Sequence, residues 1–478
     1  MFKKSFFPVL LLLVMAAPLC AGETVLGLPL HVQTLAPGAV RVWVGDHISA
    51  TAVCGVATQK GIVVIDTTNI PKLDDAFRKV IARELGRSDF KYLINTHGHV
   101  DHVSGNGVYA DCQIIAHEAV KGMMEESFRD IPRRIQWNEE SLREQKKRLA
   151  SGSVKDEEKA AAEEQLAYDT LVGDYLKSSP QPAFPARTFH DKLVLDCGDV
   201  TFELYQAGGT HTPSDIFILV PQKGLLFTGD MMADKWLTDV PGCLATFAAH
   251  SGQAADFPVL TRNWQALLDR KAEIRLYIPG HWNGELSAAG FQARFEYLKT
   301  MLADVEAMAK SGDDFNGFLA AYTLKDKFPQ LVGSPGISNQ GHQMSVKHLY
   351  QVYSGKKWLV SELQGVIMGE RFATEFPALR ADILKNRGQY FFTGADLNGL
   401  GYFLMQQLKN TDGAVAMFEL YAELFPQDWN AWDSLAEGYY TKGDKRKALE
   451  LYKKSLELNP GNENGRKFVE LIEKELNP

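Results

Sequence analysis

The chain has 478 residues, of which 45% are hydrophobic and 23% charged, and a formal net charge of -8 at pH 7. These are ordinary proportions for a globular protein with room for two or three domains. The acidic balance, with no basic stripe, excludes the electrostatic footprint of a nucleic-acid binder, so no nucleic-acid partner is expected.

Lys3-Lys4 precede an apolar run from Phe6 to Leu19, which leads into Cys20-Ala21-Gly22. A charged start, an apolar middle and a small-residue cleavage zone spell a secretory signal over residues 1–21, cut after Ala21. The run is too short for a comfortable membrane span, and no later segment reaches that length. The expected product is exported to the periplasm, with no integral span. A lipid anchor at Cys20 is an alternative, against which Leu19 counts because a small residue is expected there; an uncleaved anchor is another. Export permits disulfides. With Cys20 removed, Cys54, Cys112, Cys197 and Cys243 remain, open to three pairings or to service as buried apolar thiols.

Residues 23 to about 118 read as strands with short turns. Val40 to Val44 alternates, and Gly61 to Asp66 is a short apolar run that ends on a carboxylate. Phe77, Val80, Ile81 and Leu85 give Ala76–Leu85 helical spacing. Lys91 to Thr96 closes another apolar run. The composition then changes: Glu139 to Lys177 is rich in Glu, Lys, Arg, Gln and Ala, which predicts one or two amphipathic helices. They form an insertion over about 121–187, either a solvated flank or a wall over a site. Strands resume at Leu193–Leu195, Val200–Leu204, Ile216–Val220, Gly224–Phe227 and Ile274–Ile278. Two strand-rich halves thus flank the insertion.

Helical spacing takes over after Ala288, as in Phe291 to Ala309. Trp432, Leu435, Ala436, Gly438, Tyr439, Gly443, Ala448, Tyr452 and Pro460 follow the tetratricopeptide-repeat pattern. One period of 34 earlier, Ala414, Phe418 and Pro426 stand where Ala448, Tyr452 and Pro460 stand. Two repeats cannot bury a solenoid core alone, so helices over 361–392 are expected to complete the stack. The expected division is a signal at 1–21, a catalytic domain at 22–288, a helical linker at 289–392 and repeats at 393–478. The repeats serve either as a cap or as a groove for a protein partner.

His97-Gly98-His99-Val100-Asp101-His102 packs four metal-ligand side chains into six residues. Imidazoles with a carboxylate suit a hard or borderline divalent ion, zinc first. Gly98 and the Ser104-Gly105-Asn106-Gly107 run speak against a helix-surface histidine cluster. Further along, His211 precedes a strand, Asp230 ends the next, and His281 follows the last. His117, also at a strand end, is not expected to be a ligand.

Together these motifs resemble the ligand set of the metallo-β-lactamase superfamily over about residues 24–285. The resemblance implies an α/β fold, an αββα sandwich of two similar halves, here followed by an all-α helical-repeat domain. It implies that His97, His99 and His211 hold one zinc, that Asp101, His102 and His281 hold a second, and that Asp230 bridges them. Asp66 would support the histidine loop from behind. One group of zinc β-lactamases carries cysteine where this chain has Asp230, and another lacks a bridging carboxylate, so the set is more similar to glyoxalase II and lactonases. Flavodiiron proteins place an acid at the position of His99. Persulfide dioxygenases share much of the set with one iron, which leaves iron, or manganese, open as the metal.

Two adjacent zinc ions lower the pKa of a shared water from about 15.7 to about 7, and the hydroxide attacks a carbonyl or phosphorus. Asp101 would orient that water as well as ligate. Trp236 and Trp282 follow the last two motifs and would line the pocket or pack in the core. Ser354-Gly355-Lys356-Lys357 fits a Ser-x-x-Lys pattern without its companion motifs and is read as chance. The expected function is an exported dinuclear-zinc hydrolase that cleaves a small-molecule ester, lactone, thioester or amide, β-lactams included. Its rivals are a repeat-based scaffold with a vestigial site and a mononuclear-iron sulfur oxygenase.

Overall fold

The computed structural model describes residues 22–45, 50–209, 211–231, 256–281, 287–333, 338–368 and 372–476. The signal segment, Trp236, Cys243 and Trp282 lie outside the described residues. The chain divides into two compact units, one of residues 1–300 and 328–342, the other of 301–327 and 343–478.

The first unit holds an eight-stranded sheet in sequence order: β1 Thr24–Val25, β2 Leu28–Ala36, β3 Ala39–Val44, β4 Val53–Thr58, β5 Gly61–Ile65, β6 Phe90–Ile94, β7 Gln113–His117 and β8 Arg187–Phe189. Pairing is antiparallel as far as β5 and parallel from β5 to β8. A five-stranded sheet orders β13 Leu276–Pro279, β12 Leu225–Gly229, β11 Ile216–Val220, β10 Thr201–Gln206 and β9 Lys192–Asp196. Strand β5 explains why the sheets stack. It is apolar on both faces, as a strand covered on both sides must be. Val63 and Ile65 turn inward with Ile94 and Ile115, against Leu204, Ile216, Ile218, Phe227 and Ile278 of the second sheet. Ile62, Val64 and Leu93 turn outward, beneath Phe77, Val80 and Ile81 of helix α1 (Pro71–Leu85).

The outer face of the second sheet is covered in the same way. Phe217 stands 5.7 Å from Trp264 on α6 (Phe257–Asp269), and Tyr277 stands 5.0 Å from Phe291 near the start of α7 (Ala288–Ser311), measured between ring centres. Helix, sheet, sheet and helix thus form the expected four layers, with eight and five strands in the two sheets among the described residues.

Two helices cover Glu139 to Lys177 as expected, α4 (Ile131–Ala150) and α5 (Asp156–Lys177), and a further one, α3 (Ala119–Arg129), precedes them. Pro132 near the N-terminus of α4 begins the new helix. Helices α4 and α5 form an antiparallel hairpin; the Asn138 amide donates to Asp169 O at 2.9 Å and Gln145 to Asp169 Oδ2 at 2.7 Å. Helix α4 buries no residue, so one flank is solvated. Helix α5 turns Tyr168, Val172 and Leu176 into the outer core. Its Tyr168 hydroxyl donates to Asn69 Oδ1 at 2.7 Å and its Tyr175 hydroxyl to Ser104 O at 3.4 Å. The hairpin therefore flanks the loop that follows His102.

Cys54, Cys112 and Cys197 are free and buried. Burial pushes the Cys54 thiol up to about 12 and the Cys112 thiol up to about 11, so both behave as small apolar groups.

In the second unit, helices Thr411–Leu424, Trp429–Lys442, Lys445–Leu458 and Glu463–Leu476 follow one another. Asn410, Asp428 and Asp444 cap the first three of them by accepting backbone N–H groups. Small residues at the repeat positions, Ala414, Ala436 and Ala448, are fully buried where helices cross. Their core is continuous with Leu359, Leu363, Phe372 and Phe376 of the helices before them.

Candidate metal centre

The candidate ligands project from strand ends of both sheets. Asp66 follows β5, and His97 and His99 lie on the turn after β6. Asp101 and His102 sit on the short helix α2 (Val100–Val103). His211 lies between β10 and β11, Asp230 follows β12 and His281 follows β13. The structure brings all seven expected ligands together.

They form two clusters. In the first, His97 Nε2 is 3.2 Å from His99 Nδ1, which is 2.9 Å from His211 Nε2. Asp230 Oδ2 lies 3.7 Å from His97 Nε2 and 3.6 Å from His211 Nε2. In the second, His102 Nε2 and His281 Nε2 are 3.3 Å apart, and Asp101 Oδ2 lies 3.7 and 3.4 Å from them. The same Asp230 Oδ2 stands 3.3 Å from His102 Nε2 and 2.9 Å from His281 Nε2.

These distances test whether metal fits. A tetrahedral ion with bonds of about 2.0–2.1 Å separates its ligand atoms by about 3.3–3.4 Å. The observed separations bracket that length. Two imidazole nitrogens this close repel unless a proton or a cation lies between them. Both clusters therefore suit a divalent cation, with Asp230 common to the two.

The charges agree. Burial, and then His102 beside it, push His97 well below its usual range. Burial and His99 push His211 down to about 3. Both rings are neutral near pH 7 and offer a lone pair. Burial opposes charge on His102 too, but Asp230, Asp101 and Asp66 outweigh it and hold that imidazole well above its usual range. Burial would raise Asp230, yet His281, His102 and His97 keep it well below the usual carboxylate range. The second cluster has the excess of carboxylate that a cation would neutralise.

Asp66 lies behind this cluster as the sequence suggested. Its Oδ2 accepts from His102 Nδ1 at 3.0 Å, and Thr96 donates to both oxygens, each at 2.7 Å. With its Nδ1 proton given to Asp66, His102 would turn its Nε2 lone pair to a cation that displaces the second proton. His117 sits elsewhere, with its Nδ1 accepting from Ala119 N at 3.3 Å.

Sequence reading missed the residues that hold the loops. Asp215, 2% exposed, accepts from Thr212 N at 2.8 Å and from His211 N at 2.5 Å. Ser214 Oγ accepts from Gly98 N at 2.9 Å and so joins the His211 loop to the His97 turn. Asn95 donates to His102 O at 2.9 Å and exchanges amide hydrogen bonds with Asn106. Arg41 reaches across from β3 to the carbonyls of Pro279 and His281. The signal that could have found Asp215 is its Thr-x-x-Asp spacing, which suits a local turn; Arg41 has no local signal.

The profile of the Metallo-beta-lactamase superfamily matches residues 43–281, half of the chain, and that of the Tetratricopeptide repeat matches residues 429–462. No curated protein sequence matches the chain. Among solved structures, a stereoselective inverting sec-alkylsulfatase from Pseudomonas sp. aligns over 94% of this chain and 62% of its own, at 13% identity and a TM-score of 0.43. A metallo-beta-lactamase from Pontibacter korlensis aligns over 56% of this chain and 99% of its own, at 16% identity and a TM-score of 0.35. The DIM-1 metallo-beta-lactamase aligns over 57% and 98%, at 15% identity and a TM-score of 0.36. The chain thus spans about 62% of the alkylsulfatase's length. With the superfamily's pattern matched from Trp43 in β3 to His281, the last of the clustered ligands, the chain belongs to the metallo-beta-lactamase superfamily.

Proposed function

We propose that the first unit is a two-metal hydrolase, with zinc as the first choice of ion, acting on a small-molecule ester, lactone, thioester or amide, β-lactams among them. The observation that carries this reading is Asp230 Oδ2, which belongs to both ligand clusters. One oxygen shared by two such clusters suits a pair of adjacent ions. His97, His99 and His211 would hold one, Asp101, His102 and His281 the other, and Asp230 both. When bound, such ions lower the pKa of water to about 7 and polarise the oxygen under attack. The protein's residues hold the geometry and move the proton. Neutral His97 and His211 keep their lone pairs on the site. Asp66 fixes the tautomer and plane of His102. Asp101 has the more exposed of the two ligating carboxylate side chains, 24% against 13% for Asp230, so it is the one placed to take a proton from the reacting water.

Substitution of Asp230 by alanine tests the reading. The expected result is two metal equivalents in the wild type, fewer in D230A, and loss of hydrolysis across an ester, lactone, thioester and β-lactam panel. Unchanged metal content and activity in D230A, or one iron per chain in the wild type, would overturn it. Residues 1–21 would direct export to the periplasm, which the N-terminal sequence of the mature protein checks. Among the described residues no helix is long and apolar enough to cross a membrane. The tetratricopeptide match supports a protein partner for the C-terminal helices.

A further inference from the structure

Arg41 is a guanidinium 1% exposed inside β3. Its neighbours Val40 and Val42 face outward, toward α1, so Arg41 faces the second sheet. Its Nη2 donates to Pro279 O at 3.1 Å and to His281 O at 2.5 Å. Between them, Gly280 O accepts from Ala52 N at 2.8 Å, and Thr51 pairs with His281 in an isolated bridge. All three successive carbonyls of residues 279–281 are thus held by the first sheet. On its other side the segment presses on the ligands themselves: a Cβ added at Gly280 would lie 2.3 Å from Asp230 Oδ1 and 2.9 Å from His102 Cε1.

The first cluster has separate supports. Asp215 accepts from the His211 backbone and Ser214 from Gly98 N. The two clusters share Asp230 and, through Thr96, the Asp66 carboxylate, but of these outer supports only those of His281 come from β3 and from the residues just before β4.

We infer that Arg41 is the positioning residue that sets the affinity of the second cluster, Asp101, His102 and His281, for its ion and leaves the first cluster's affinity alone. This rests on the two-ion reading above. Two effects of Arg41 oppose each other. The two hydrogen bonds from Nη2 fix the His281 backbone, which favours binding, while its positive charge repels a nearby cation. The hydrogen bonds dominate, because the guanidinium is engaged by the carbonyls behind His281 while the ring Nε2 faces Asp230.

The variants R41K, which keeps the charge on an ammonium that ends short of the Nη2 position, and R41Q, which loses the charge as well, separate the two effects. Metal stoichiometry and chelator competition are measured on the full-length protein, with cobalt absorption as a second readout. Both variants are expected to keep the first ion and to bind the second about 10–100-fold more weakly, the usual range for a lost outer-shell partner. An unchanged second affinity, equal weakening of both ions, or a second ion bound more tightly in R41Q would each overturn the inference. A wild type that binds only one ion would instead defeat the two-ion reading, and the inference with it. Where a buried substitution prevents folding, hydrogen exchange on the wild type decides. Amides of residues 50–54 and 276–281 should gain protection with the second metal equivalent. Protection gained only with the first would overturn the inference.

Discussion

Asp66 holds a backbone φ of 60°, a left-handed conformation that costs a non-glycine residue about 1 kcal/mol or more. The conformation turns its carboxylate toward Thr96 and His102 together. Asparagine would keep the shape but offer one acceptor oxygen to donors on both sides. D66N should therefore weaken the second metal ion about 10–100-fold in a chelator competition; equal affinity would show that the His102 ring is set by something else. Asp74 illustrates a different economy of charge. It is wholly buried under the same loop, with Thr68 N and Thr68 Oγ1 donating to it at 2.9 and 2.8 Å. Burial, outweighing those bonds, pushes its carboxyl up to about 7 from 3.8. A raised carboxyl favours the folded state while neutral, so this contribution is fullest below the unfolded value and disappears as pH rises through the folded one. The cost at full ionisation is about 4 kcal/mol. The stability of D74N minus that of the wild type, from urea melts, should thus grow between pH 4 and pH 7 and level off above. A flat difference would mean that Asp74 is ionised throughout.

At the scale of elements, the site is made of loops held by their neighbours, and glycines permit the closest approaches. Gly280→Ala places a methyl group against Asp230 and His102, so both ions should bind more weakly, while the far-ultraviolet circular dichroism is unchanged. Retention of both ions would show that the β13 loop can retreat. This architecture explains what sequence could convey. The candidate ligands were legible because four of them crowd into His97 to His102, while His211, Asp230 and His281 entered through the family resemblance. Arg41 was not, because its partners at Pro279 and His281 lie in the other sheet and leave no periodicity around it. Ser214 and Gly98 are likewise joined only by the fold. The break between α3 and α4 has only Pro132 to mark it in the sequence, because one proline at a helix start does not interrupt a run of charged helix formers.

At the scale of the molecule, the sandwich was predictable only through the family resemblance. Strand runs show that sheets exist, whereas the pairing of β5, β6 and β7 as parallel neighbours depends on helices that cover both faces. The repeat region was legible directly, since small residues recur where helices cross. Each unit has its own buried core, around Val63, Ile94 and Phe227 in the first and around Phe418, Leu435 and Tyr452 in the second. All seven candidate ligands belong to the first. Metal should therefore stabilise one unit and not the other. At a free ion concentration about 1,000 times the dissociation constant, a bound ion adds about 4.1 kcal/mol to the unit that holds it. Calorimetry of the metal-loaded protein should show two transitions, and a chelator should lower the midpoint of one while the other stays in place. The transition that moves is assigned by repeating the experiment with D230A, in which it should already lie low and respond little to the chelator. If both transitions moved together, the units would share one cooperative fold, and the division of the ligands from the repeats would have no energetic meaning.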